Sequence, residues 1–162
     1  MYHAEAWSDF GVAVAGAAAA LTGLLFVAVS INLERILQYP RLPARAAATL
    51  GTLVVVLAIA LFTLVPGQGR SALGVETVVA SGALATLILV SHLPMKRAPG
   101  DPLHWFLFPI AILLAPALLL LLGGVSLVLG TGGGLYWVLA GVVAAFIACT
   151  LNAWVLLIEI QR

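Results

Sequence analysis

Charge is what this chain has least of: seven Lys and Arg and six Asp and Glu in 162 residues, 8% of the total. An average soluble domain carries about 25%. The formal net charge of +1 leaves no broad basic face, which argues against a nucleic-acid partner. Cysteine is reduced to Cys149 alone. One thiol makes neither an intramolecular disulfide nor a metal site, so it reads as a small apolar packing residue. The N-terminus has Glu5 but no Lys or Arg before the first apolar run, so the basic start of a signal peptide is missing. That run, from about Phe10 to Leu33, exceeds a signal core of about 7–15 residues and reads as a retained membrane span.

Catalytic signatures are missing too. The chain has no Gly-x-Ser-x-Gly elbow, no His-Glu-x-x-His helix, no phosphate loop ending in Gly-Lys and no paired carboxylates. His92 and His104 flank one connector without a Cys or acid at ligand spacing, so zinc is not expected. The expectation is a protein that is not an enzyme and needs no metal or cofactor.

What is there is apolar sequence. Hydrophobic residues make up 64% of the chain, and mean hydropathy is +1.20. Five stretches, approximately 9–33, 45–65, 72–92, 103–129 and 135–158, are each long enough to cross a hydrocarbon core of ~30 Å at ~1.5 Å per residue. Helices apolar all round need lipid around them, so the expected fold is all-α: a polytopic bundle of five transmembrane helices forming one domain over residues 1–162. Breakers fall between the spans: Pro40 and Pro43, then Pro66 to Gly69, then Pro94, Pro99 and Pro102, then Gly130 to Gly134. Asp101 and Pro102 read as N-cap and first residue of span four. The short second and fourth connectors predict antiparallel neighbours.

Arg35, Arg41, Arg45, Lys96, Arg97 and Arg162 fall on one face of this arrangement and Arg70 alone on the other. The positive-inside rule then places the N-terminus outside and the C-terminus in the cytoplasm. Trp7, Tyr136 and Trp137 mark one interface, Tyr39 and Trp105 the other. An odd number of spans argues against a simple pair of inverted halves.

Span one carries the strongest local pattern. Gly11, Ala15, Ala19 and Gly23 recur every four residues, with Gly16 and Ala20 beside them. Small residues at this spacing let helix backbones approach closely in lipid, so the face is expected to pack within the monomer, to contact a second subunit or another membrane protein, or to line a pore. Toward the end of the same span stand Ser30, Asn32 and Glu34. In span five Asn152 lies about 9–10 Å inside the end, too deep for water, so its amide needs a partner. Ser30 is expected at similar depth, and Glu159 is expected to meet Arg35 at the inner end. Glu76 is the carboxylate placed within a span, about one turn inside span three. Intramembrane acids are candidates for proton or ion handling. The alternative is an interfacial role, with Arg70 approaching through the short connector. Thr77 and Ser81 stand nearby as further oxygens. Pro109 and Pro116, seven apart in span four, are expected to shape that helix, Pro116 by a kink.

The segments Gly16 to Leu33, Val65-Pro-Gly-Gln68, Gly74-Val-Glu76, Gly134-Leu-Tyr-Trp137 and Leu151 to Glu159 together resemble a group of small multi-pass integral membrane proteins of high-GC Gram-positive bacteria. No activity is assigned to that group, although some members are labelled modulators of a membrane-bound ATP-dependent protease. The resemblance implies a bacterial cytoplasmic membrane and transfers no catalytic residue. Through Ala-Leu-Thr-Gly and the polar end Ser-Ile-Asn-Leu-Glu34, span one is also similar to the pore helix of the Orai calcium channels. Its direction here is the opposite one, so no calcium filter is carried onto Glu34. The functional expectation is a non-enzymatic membrane protein, in contact with lipid and associating with itself or another membrane protein through span one. The alternative is a small oligomeric channel or carrier using Glu76, Ser30 and Asn152.

Overall fold

Long runs of Leu, Ala, Val and Ile with few interior breakers fold as six helices among the described residues. They are α1 (Ser8–Ile31), α2 (Leu33–Gln38), α3 (Leu42–Thr63), α4 (Arg70–His92), α5 (Leu103–Leu129) and α6 (Leu135–Gln161). They come from a computed structural model that describes residues 7–39, 41–92 and 103–161. All but α2 are long and apolar enough to cross a membrane; α3, with 22 residues, is about 33 Å long. The protein is thus an integral membrane protein built as a multi-pass helical bundle. Its outward surface agrees, since Leu24, Phe26, Val79, Phe108 and Trp154 all point out of the bundle, a surface stable only against lipid or protein.

The helices α3, α4, α5 and α6 form a ring in which each packs against the next and α6 closes back onto α3. Neighbours run antiparallel: residue 124 of α5 meets residue 74 of α4, and residue 123 of α5 meets residue 138 of α6. The first helix stands outside this ring and packs chiefly on α3. The bundle therefore has two ends. The acidic end holds Trp7, the α3–α4 turn and the α5–α6 turn; the basic end holds α2 and the start of α3.

Three apolar clusters fill the interior. Val56, Ile59, Leu73, Leu120, Leu127, Val138 and Val142 form the largest, with Val14 and Ala18 of α1 against it. Ala48, Leu84, Ile88, Ile110, Leu113 and Ala117 form a second between α3, α4 and α5. Ile36, Leu42, Ala46 and Leu156 form a third at the basic end.

Glycines set the helix spacing. A Cβ on Gly124 would lie 2.9 Å from the Gly74 carbonyl oxygen and from the Val78 nitrogen, and one on Gly74 would meet the Val128 nitrogen at 2.8 Å. On the other side of α5, a Cβ on Gly123 would meet the Val138 nitrogen at 2.9 Å, and one on Gly141 the Leu120 nitrogen at 3.0 Å. Backbones approach this closely only where no side chain intervenes. The α5–α6 turn uses glycine differently, with φ of 83° at Gly132 and 100° at Gly133, a region L side chains avoid. The Ser126 hydroxyl accepts from the Gly134 N–H at 2.9 Å, and the Trp137 indole N–H donates to the Gly132 carbonyl at 2.8 Å.

The helix boundaries depart from the sequence-based spans by three residues or fewer. One element is new: α2 lies inside the first connector. Asn32 breaks the helix at φ −104°, ψ 15°, and its amide donates to the Ala28 carbonyl at 2.9 Å. The Ser30 hydroxyl donates to Phe26 at 2.8 Å. Such back-bonding competes with the helix ladder, and the chain restarts at Leu33. Pro109 and Pro116 both lie inside α5, which continues through them as one helix. The expected cap at Asp101 and Pro102, the charges of Lys96, Arg97 and Arg162, and the side chains of His104 and Trp105 lie outside the described residues.

Candidate functional site

Among the described residues, polar side chains inside the bundle pair with one another at two places. The first joins α3 to α6 near the basic end. Arg45 lies in the first turn of α3 and Thr49 one turn later, on the same side. Asn152 reaches them from α6. The Arg45 guanidinium donates to Asn152 Oδ1 through Nε at 3.1 Å and Nη2 at 2.8 Å. Asn152 Nδ2 donates to Thr49 Oγ1 at 2.5 Å, and the Thr49 hydroxyl donates to the Arg45 carbonyl at 2.7 Å. The Cys149 thiol points at the Thr49 carbonyl, 3.7 Å away. Donors and acceptors thus run head to tail around a closed loop. Arg45 can only donate, which fixes the orientation of the Asn152 amide. Thr49 and Asn152 are buried and Arg45 half-buried, so the loop is a clamp between two spans. Leaving any of its groups unpaired would cost ~1–3 kcal/mol. It contains no general base, because an arginine stays protonated at every accessible pH.

The second place is at the acidic end. Glu76, half-buried in the second turn of α4, accepts a hydrogen bond at Oε2 from the Gln68 amide of the α3–α4 turn. The Gln68 carbonyl oxygen is buried without a partner. Arg70 does not take the place expected of it, for its guanidinium lies against Gly130 of the α5–α6 turn, with Nη1 2.7 Å from where a Cβ would be. Thr77 and Ser81 are fully buried, and their hydroxyls donate to the carbonyls of Leu73 at 2.7 Å and Thr77 at 2.6 Å. Their hydrogens serve their own helix. Among the described residues no group of three His, Cys, Asp or Glu side chains could hold a metal ion.

These two places are at opposite ends of the bundle, because α4 begins where α3 ends and Arg45 begins α3. Between them sits the apolar cluster around Val56, Leu120 and Val142, each 2% exposed or less. Ser30 does not join Asn152: it is exposed on α1 and bonded within its own helix. Arg35 is exposed on α2, and the side chain of Glu159 lies outside the described residues. His92 is buried, its Nδ1 2.9 Å from the Ile88 carbonyl and its Nε2 without a partner.

The small residues of α1 are divided between two faces. A Cβ on Gly11 would collide with Thr63 Oγ1 at 2.5 Å and Leu64 at 3.0 Å, so here α1 rests on the end of α3. Ala15 packs partly against the main core. Ala19 and Gly23 are exposed, and a Cβ on Gly16 or Gly23 would meet nothing within 4 Å. The cause is helical geometry: each four-residue step turns about 400°, a drift of about 40°, so three steps carry the line about 120° round the helix. Gly16 and Gly23 are seven apart and lie within about 20° of each other on the outward side.

Sequence reasoning counted Arg45 among the connector charges and missed its pairing with Asn152. The available signal was the one-turn spacing of Arg45 and Thr49 at the start of a span. No protein-family model, curated protein or solved structure matches this chain.

Proposed function

We propose that this chain is a non-enzymatic protein of a bacterial cytoplasmic membrane that works by helix association, binding a second copy of itself through the outward face of α1. The observation that carries the reading is the uncovered patch of Gly16, Ala19, Ala20 and Gly23 on a helix that packs chiefly on α3. In lipid the association of helices depends on close packing rather than on hydrophobic burial, and this patch admits a second backbone without any side chain moving. The clamp supports the non-enzymatic part, because Arg45, Thr49 and Asn152 bond one another and offer no nucleophile with a base. A polar path through one copy gets no support from the interior, where apolar side chains separate Glu76 from Asn152. Arg35, Arg41 and Arg45 on one end support an orientation with that end in the cytoplasm.

Crosslinking of the purified protein in lipid tests the association. The double substitution Gly16→Leu with Gly23→Leu is expected to convert a crosslinked dimer to monomer. Gly82→Leu, at an equally open position on α4, is expected to leave it intact. A dimer that survives the α1 substitutions overturns the reading.

A further inference from the structure

Between the basic-end half of α1 and α6 the bundle leaves a cavity of about 210 Å³, lined by Leu21, Leu25, Ala28 and Val29 of α1 and by Ala153 and Leu156 of α6. Its shape follows from how α1 is held. At the acidic end α1 is pinned by Gly11 against Thr63 and by the Trp7 ring standing edge-on to Tyr136, centroids 5.2 Å apart. Ala18 is its last fully buried residue; beyond it every residue of α1 is at least partly exposed. The break at Asn32 then returns the chain, and Ile36 of α2 docks on Leu42, Ala46 and Leu156. The cavity is thus bounded at both ends along the helices. It opens sideways past Leu24, which is 69% exposed on the lipid-facing surface.

The cavity's polar lining residue is Asn32, whose amide is turned to the Ala28 carbonyl; the remainder is apolar, and apolar cavities of ~150 Å³ stay dry and take up apolar molecules. An acyl chain is slender enough, and the bilayer supplies one at the opening. The floor adds a charge pattern. Each of the three apolar residues on which the Leu156 side chain rests directly follows an arginine: Arg35-Ile36, Arg41-Leu42 and Arg45-Ala46. Among the described side chains at this end of the bundle, Arg35, Arg41 and Arg45 stand against one acidic residue, Glu34.

We propose that this cleft binds one anionic phospholipid from the leaflet at the basic end, with an acyl chain in the cavity and the phosphate beside Arg35 and Arg41. Arginine forks suit phosphate oxygens, and the chain fixes the lipid where the arginines meet its headgroup. The site lies on the bundle-facing side of α1, opposite Gly16 and Gly23, and is independent of the association proposed above.

Native mass spectrometry of the purified full-length chain, titrated with dioleoyl phosphatidylglycerol or dioleoyl phosphatidylcholine, tests this with identical tails and different headgroups. One phosphatidylglycerol is expected to stay bound in preference to phosphatidylcholine. Arg35→Gln and Arg41→Gln, both at exposed positions, are each expected to lower that preference by about fivefold, the effect of one basic residue near an anionic lipid. Ala28→Phe with Ala153→Phe, which fills the cavity, is expected to abolish retention of either lipid. Gly23→Leu is expected to change neither. Equal retention of the two lipids, or a preference that survives the arginine substitutions, overturns the proposal in favour of unspecific lipid coating. Loss of a dimer on filling the cavity, with lipid retention unchanged, overturns it in favour of a protein contact.

Discussion

Replacing Gly124 by alanine places a methyl group where α4 and α5 touch through their backbones. Its nearest neighbours would be the Gly74 carbonyl oxygen, the Val78 nitrogen and a Val78 methyl, all at 2.9 Å. Two of the three are main-chain atoms, so no rotamer change relieves the clash and the helices must separate. Overpacking of this kind costs ~1–3 kcal/mol. Alanine returns ~0.5–1 kcal/mol through its better helix propensity, which leaves a net loss of up to ~2.5 kcal/mol, centred near ~1 kcal/mol. The same substitution elsewhere has the opposite sign. At Gly82 a Cβ meets nothing within 4 Å, so only the propensity gain of ~0.5–1 kcal/mol remains. At Gly51 it meets Leu87 Cδ2 at 2.7 Å, the end of a side chain that is 40% exposed and free to turn; the expected change is about zero. Cys149 reports the result, being the only cysteine and 3% exposed. Its modification by a maleimide during a dodecyl sulfate titration follows unfolding of the bundle. The expected order of midpoints is Gly82→Ala highest, Gly51→Ala near the parent and Gly124→Ala lowest. If all three fall within ~0.5 kcal/mol of the parent, as surface substitutions do, the close α4–α5 approach is refuted.

The same titration checks the clamp: Asn152→Ala removes the acceptor of two Arg45 hydrogen bonds and the donor to Thr49, and is expected to cost ~1–3 kcal/mol. In a double-mutant cycle with Arg45→Met the coupling should be on the order of 1 kcal/mol, the upper part of the range for hydrogen bonds between membrane helices; additive effects would dissolve the clamp. Trp7→Ala removes the edge-on contacts with Phe10 and Tyr136 and is expected to cost ~0.5–1.5 kcal/mol beyond the area it uncovers, read from the same midpoint. Glu76→Gln is expected to leave that midpoint within ~0.5 kcal/mol and to leave ion leakage from liposomes unchanged. A flux that disappears with Glu76→Gln would instead support the channel reading and count against association as the whole function.

The membrane-spanning helices were legible because the requirement that creates them acts on each segment separately. A run long enough to cross the hydrocarbon core must satisfy its own backbone, and composition alone reports that. The helix α2 was not legible, because it depends on a docking event: Ile36 meets Leu156, a residue 120 positions away in the sequence. The clamp was half legible. A buried amide in α6 demanded a partner, but the choice of Arg45 and Thr49 over Ser30 depends on α6 closing the ring onto α3. No periodicity within either helix carries that information. Arg70 illustrates the same limit. It is near Glu76 in the chain, yet it turns to Gly130, brought within reach by the packing of α4 on α5.

Glycine was the least legible signal, for a geometric reason. A four-residue repeat of small residues looks like one face, yet it drifts about 40° at each step. In α1 that drift takes the line from Gly11, seated on Thr63, to Gly23, facing outward, so a single pattern describes two surfaces. The glycines that set the tightest contacts show no repeat. Gly123 and Gly124 are adjacent, hence about 100° apart on the helix, and each admits a different neighbour: α6 at Val138 and α4 at Gly74. Adjacent small residues in a span facing two partners at once are therefore the sign of a helix held between two others. A stepped line of them belongs to a helix whose contact runs out partway. That distinction accounts for α5 lying within the ring and for α1 standing outside it with an open face.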